Sequence, residues 1–84
     1  MKKAWELLKA GWCQRSLHEK KDGKDHYCIM GAIDKAYNFD GLRHETTIRD
    51  VLRKMGRDGM ISSYNDEAGR TQEEVVALVK GLDI

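Results

Sequence analysis

Apolar residues recur at helical spacing in four stretches of the chain. The clearest is the last. Val75, Leu78, Val79 and Leu82 fall at i, i+3, i+4 and i+7 and form one apolar stripe. Thr71 and Glu74 precede it at the T-x-x-E spacing of a capping box, in which each side chain satisfies an amide that the helix leaves unpaired. Glu73 and Glu74 also stand at the positive end of the helix dipole, and Gly81 is placed for a left-handed cap. Upstream, residues 2–10 put Trp5 and Leu8 on one face with Ala4 and Leu7 beside them, and Gly11 stops the run as a capping glycine. In residues 27–38, Ile29, Ala32, Ile33 and Ala36 share a face, and Gly31 and Ala32 are small enough for close helix contact. The third stripe is Ile48, Val51, Leu52 and Met55, with Thr46 or Thr47 as its cap and Gly56 or Gly59 as its end.

The intervening segments are polar. Asn38-Phe39-Asp40-Gly41 is a break. Residues 14–26 are charged and centred on Lys21-Asp22-Gly23-Lys24; Asp-Gly favours a hairpin, yet the flanks alternate poorly, so a short ribbon and a plain loop both fit. Asn65 to Arg70 is rich in residues that fold back on their own backbone, and Ile61 and Tyr64 precede it at one-turn spacing, as a short helical turn would place them. Proline is absent. The expected fold is one mostly all-α domain over residues 1–84, a small bundle or orthogonal cluster of about four short helices, with a β-hairpin near 14–27 as an option.

Composition narrows the function classes. A domain of 84 residues buries only about 60–65% of its unfolded surface, so its core is thin and a homo-oligomer would thicken it. Charged residues make up 35% and mean hydropathy is −0.67, as for a well-solvated surface. No apolar run approaches the roughly 18 residues of a membrane span, and the first residues lack the apolar stretch of a signal peptide. A cytoplasmic setting with free thiols is expected for two cysteines in such a chain. The net charge of +1 argues against a nucleic-acid partner by bulk electrostatics.

Four groups of residues could carry chemistry. Cys13, His18, His26 and Cys28 are zinc-type ligands, but C-x4-H-x7-H-x-C lacks the paired turn that supplies two ligands at once, so buried thiols and solvated imidazoles are preferred and no metal or cofactor is expected. A Cys nucleophile with a His base and an Asn or Asp orienter could be drawn from Cys13 or Cys28, from His18, His26 or His44, and from Asn65 or Asp66. No activating motif accompanies them, and burial of Cys28 on an apolar helix face would make it inert. Arg49, Arg53 and Arg57 stand four apart opposite the third stripe, a solvated face or else a surface for phosphates or an acidic protein. Asn65, Asp66, Arg70 and Thr71 are the densest polar cluster. Turn and cap chemistry explains most of them, with Arg70 paired to Asp66 or Glu67; together with Trp12, Cys13 and Tyr64 they could instead line a pocket for a small anionic ligand.

Gly11-Trp12-Cys13-Gln14, then Cys28-x-x-Gly31-Ala32-Ile33, then Tyr64-Asn65-Asp66-x-x-Gly69-Arg70-Thr71-x-x-Glu74-Val75, resembles a family of small uncharacterised proteins from phages and actinobacteria. That family carries a GWCQ segment, a C-x-x-G-A-L segment and a closing W-N-D-x-x-G-R-T-x-x-E-V helix. Here Tyr64 stands at its tryptophan and Ile33 at its leucine, and the middle of the chain matches nothing in the pattern. The resemblance implies a domain of unknown function, often carried by mobile elements, and does not require His18 or His26. The expected function is a non-enzymatic binding protein, a phage-type accessory or counter-defence factor that binds a host protein or sequesters a nucleotide-like ligand. The alternative is a cysteine-dependent enzyme or a Cys/His metal protein.

Overall fold

The computed structural model describes residues 3–37, 40–56 and 60–84. Their order is α1 (Ala4–Ala10), β1 (His18–Lys21), β2 (Lys24–Tyr27), α2 (Ile29–Tyr37), α3 (Gly41–Met55), α4 (Ile61–Asn65) and α5 (Gln72–Gly81). The fold is mostly helical, as the pattern predicts, with five helices among the described residues where about four are expected, and with one small antiparallel ribbon. Among the described residues no helix is long and apolar enough to cross a membrane.

The hairpin option is the one adopted. His18 pairs with Tyr27 and Lys21 with Lys24, and the two-residue tip, Asp22-Gly23, has φ of 53° and 77°. Two left-handed residues in succession are what the favoured tight hairpin turn demands, and Asp-Gly supplies them at low cost. The ribbon forms although its apolar alternation is weak, because backbone bonds tie β2 to the segment after α1. Tyr27 donates to the Gly11 carbonyl and Cys13 donates to the Tyr27 carbonyl, which sets Trp12 beside Tyr27 as a parallel bridge.

The core gathers Ala4 and Leu8 of α1, Ile29, Ala32, Ile33 and Ala36 of α2, Val51 of α3, Ile61 of α4, and Val75 and Val79 of α5. Each predicted stripe thus contributes, although Ile48, Leu52, Met55, Leu78 and Leu82 are only half-buried at its margin. The capping box that opens α5 is formed: Glu74 N–H donates to Thr71 Oγ1 at 3.2 Å and Thr71 N–H donates to Glu74 Oε1 at 3.1 Å. Residues 3–6 and 83–84 meet edge to edge, with Trp5 N–H on the Ile84 carbonyl and the Lys3 ammonium 2.6 Å from the Asp83 carboxylate.

Five local expectations are corrected. α3 is capped by Asp40, whose carboxylate accepts from Arg43 N–H, not by Thr46 or Thr47. Thr46 lies inside the helix with its hydroxyl on the Leu42 carbonyl, and Thr47 is buried. The Gly56 end of that helix is left-handed as predicted, at φ 67°; Gly59 lies outside the described residues. Gly81 is helical, and the left-handed residue at the end of α5 is Asp83. Gly11 ends α1 in extended geometry; a Cβ there would sit 2.4 Å from the Asp25 carbonyl, so its role is to let β2 pass close by. Gly31 serves a strap and not a helix, since its Cβ would meet the Leu17 carbonyl at 1.8 Å. Finally, Cys28 stands just before α2, where its carbonyl accepts from Ala32 N–H, instead of on the apolar face of that helix.

Candidate functional site

The polar residues singled out in the sequence do converge, around the buried side chain of Asn65 at the end of α4. Its Oδ1 accepts from Trp12 Nε1 at 2.7 Å and from Ile29 N–H at 3.0 Å. Its Nδ2 donates to the Cys13 carbonyl at 3.0 Å and to Asp66 Oδ1 at 2.9 Å. One amide side chain can make about four such bonds, and here all four are made. Asp66 also accepts from Arg15 N–H at 2.8 Å, and Gln14 Nε2 donates to the Asn65 and Glu67 carbonyls. The strap of residues 12–17, the start of α2 and the end of α4 are therefore locked to one buried amide. The expected local turn made by Asn65 is replaced by a long-range hub.

Arg70 completes a second, adjoining cluster. Its Nε donates to the Tyr64 carbonyl at 3.1 Å, and its terminal nitrogens reach Glu67 at 2.7 Å and Glu74 at 3.0 Å. The guanidinium carbon lies 3.7 Å from the centre of the Tyr64 ring, a cation–π geometry. Of its two proposed carboxylate partners, Glu67 is the one used. The Thr71 amide, which donates to the Glu74 carboxylate, is the main cause holding that carboxyl below its ordinary range. Trp12, Cys13, Tyr64, Asn65, Asp66, Arg70 and Thr71 thus form one neighbourhood in which each polar group named above meets a protein partner.

Cys13 and Cys28 are both buried and free. Cys13 Sγ donates to the carbonyls of Ser16 and His26, and Cys28 Sγ accepts from Gly31 N–H at 3.3 Å. Burial pushes both thiols up, with the Cys28 charge adding to the effect on Cys13. The imidazoles stand elsewhere: His18 Nε2 meets the Asp25 carboxylate at 2.8 Å, His26 Nδ1 meets the Lys24 carbonyl, and His44 meets Asp34 across α2 and α3. Among the described residues no group of three or more side chains is placed to hold a metal ion. Arg49 and Arg53 lie exposed on α3, Arg49 within 3.7 Å of Glu45; Arg57 lies outside the described residues.

A hollow that the sequence pattern does not single out lies between α1 and α5. It encloses about 400 Å³ and is lined by Trp5, Lys9, Gln72, Glu73, Val76, Ala77 and Lys80. Gln72 fixes the two helices together, its Nε2 donating to the Leu8 and Lys9 carbonyls at 2.8 and 3.2 Å. The Lys80 ammonium lies 5.0 Å from the centre of the Trp5 ring. A flat aromatic wall, an aliphatic floor and two ammonium groups at the rim can hold a planar anion. The sequence does hold one clue, Trp5 on a short helix with lysines near it, but the partner helix is 67 or more positions away.

Comparison with curated proteins and with solved structures returns no match. The profile of a family of unknown function, DUF6197, matches residues 1–81. That span includes every residue of the Asn65 and Arg70 clusters, and the chain belongs to the DUF6197 family.

Proposed function

We propose that this chain is a small non-enzymatic binding protein that takes up a planar, negatively charged small molecule of nucleotide type in the α1–α5 hollow. The observation that carries the reading is a hollow lined by Trp5, Lys9, Val76, Ala77 and Lys80, with the Lys80 ammonium 5.0 Å from the centre of the Trp5 ring. The Trp5 ring with the Lys80 ammonium over it forms an aromatic and cationic wall, the Lys9 and Lys80 ammonium groups neutralise the anion, and Glu73 can accept from an amine or hydroxyl of the same molecule. The Trp12–Asn65–Arg70 neighbourhood is a weaker seat for such a ligand, because its polar groups would have to give up bonds to one another. In this reading the chain acts by sequestration, the mode suited to a phage-type accessory or counter-defence factor; that setting rests on the family resemblance alone.

Thermal melting with mononucleotides, cyclic nucleotides and aromatic carboxylates tests the proposal, since a ligand specific to the native state raises Tm by mass action. At least one member of the panel raises Tm, and Lys9→Ala/Lys80→Ala and Trp5→Leu remove the rise. If no member shifts Tm, the reading fails; if the shift survives all three substitutions, the hollow is the wrong place.

A protein partner on α3 is the second reading. Leu42 is 78% exposed and shares the outer side of α3 with Arg49 and Arg53, an apolar and basic face suited to an acidic protein surface.

A further inference from the structure

One backbone bond brings the segments that carry the two cysteines together. Trp12 and Tyr27 face each other across an isolated parallel bridge, and Cys13 and Cys28 are the residues that follow them. Cys13 N–H donates to the Tyr27 carbonyl, next to Cys28, at 3.1 Å, and beyond that bond the Asn65 amide stands between the Cys13 carbonyl and Ile29 N–H. Bridged backbones are about 4.8 Å apart, and the Cα separation across a disulfide is about 4.4–6.8 Å, so the bridge holds the two segments at a spacing that a disulfide can span. Both side chains are buried, and the charge of one raises the pKa of the other, as expected of groups in proximity.

Their surroundings differ. Cys28 precedes the first turn of α2 and its sulfur accepts from Gly31 N–H, which favours negative charge there. It also lines a hollow of about 200 Å³ with Arg15, Ser16, Leu17, Ser62 and Asp66, room enough for a peroxide molecule. Cys13 does not line that hollow; its thiol donates to two carbonyls, those of Ser16 and His26.

We infer that Cys28 and Cys13 form a peroxide-oxidisable dithiol, with Cys28 as the group oxidised first and Cys13 as the group that resolves it. The Cys28 thiol gives up its proton, its sulfur attacks one oxygen of hydrogen peroxide, the O–O bond breaks, and Cys28 becomes a sulfenic acid as the departing hydroxide takes that proton and leaves as water. The Cys13 sulfur then attacks the Cys28 sulfur, the S–OH bond breaks, a second water leaves with the Cys13 proton, and the disulfide is formed. Overall, two thiols are oxidised by two electrons and one peroxide is reduced to two waters. The resulting ring holds the hairpin and fastens the strap to the start of α2, a site distinct from the α1–α5 hollow. Burial raises both thiols, so the pair reacts slowly and calls for peroxide in large excess.

Folded protein treated with hydrogen peroxide, quenched, unfolded in alkylating agent and measured by intact mass, should lose two hydrogen atoms and both alkylatable thiols with no covalent link between chains. Proteolysis should then join the Cys13 and Cys28 peptides. Dimedone should trap a sulfenic acid at Cys28 in Cys13→Ser, and should leave Cys13 unlabelled in Cys28→Ser. Oxygen addition or intermolecular dimers without the internal disulfide overturn the inference on the wild-type chain alone. Labelling of Cys13 but not Cys28 overturns the assigned order.

Discussion

The Asn65 neighbourhood and the α1–α5 hollow use polar side chains in opposite ways. Around Asn65 the groups turn inward: the amide makes four bonds to Trp12, Cys13, Ile29 and Asp66, and Arg70 meets two carboxylates, a carbonyl and a ring. In the hollow, Lys9, Glu73 and Lys80 are exposed at the rim of an apolar floor. A buried amide with every bond made specifies one arrangement of the chain and leaves little for a visitor. An open aromatic wall with charges at its rim specifies little about the fold and is accessible to a ligand. The residues densest in motif chemistry therefore bond to one another, and the hollow lies on a face that no motif marks.

The sharpest way to break the contrast is Asn65→Ala. It strands Trp12 Nε1, Ile29 N–H and the Cys13 carbonyl, and should lower stability by about 3–5 kcal/mol in urea unfolding. A cost below that of an ordinary surface change would mean that the hub is ornamental. Next comes Gly31→Ala, whose methyl would meet the Leu17 carbonyl at 1.8 Å. The strap must lift, at a cost of about 2–3 kcal/mol in the same assay. Thr71→Ala removes the acceptor for Glu74 N–H and should cost about 1 kcal/mol, read as a lower thermal midpoint.

A smaller effect concerns acid. The Glu74 carboxyl has its pKa depressed in the folded chain, chiefly by the Thr71 amide, so its contribution is present above the ordinary carboxylate range and is lost as pH falls through its folded value. Glu74→Gln should therefore lower stability near neutrality and flatten its decline toward acid, seen by comparing melts across that range. The smallest effect on stability belongs to the hollow. Lys9→Ala/Lys80→Ala should move the unfolding free energy by less than about 0.5 kcal/mol while removing any ligand-induced rise in Tm. A large destabilisation there would erase the distinction between the two regions.

Much of the fold is legible in the sequence because it follows from local periodicity. The stripes of α1, α2 and α5, the capping box at Thr71 and the Asp22-Gly23 tip need only near neighbours. The first turns of α3 are not legible, because Gly41, Leu42 and Arg43 are exposed and show no apolar repeat; the Asp40 cap and the burial of Thr47 extend the helix there. The hub is not legible either. Asn65 looks like a turn residue, and its role depends on Trp12, Cys13 and Ile29, which lie 53, 52 and 36 positions away. The hollow is hidden for the same reason, since Trp5 and Lys80 meet only when α1 lies on α5.

The outer rim of the ribbon has a consequence for self-association. β2 is bridged to Trp12 on the side away from β1, whereas β1 has a ladder partner on one side only among the described residues. An open strand margin invites a second chain to add itself, and His18, Glu19, Lys20 and Lys21 place four ionisable, exposed side chains along it. Concentrated solutions should stay dispersed while those charges remain, and swapping the two lysines for valines would turn the same margin into a seed for stacking.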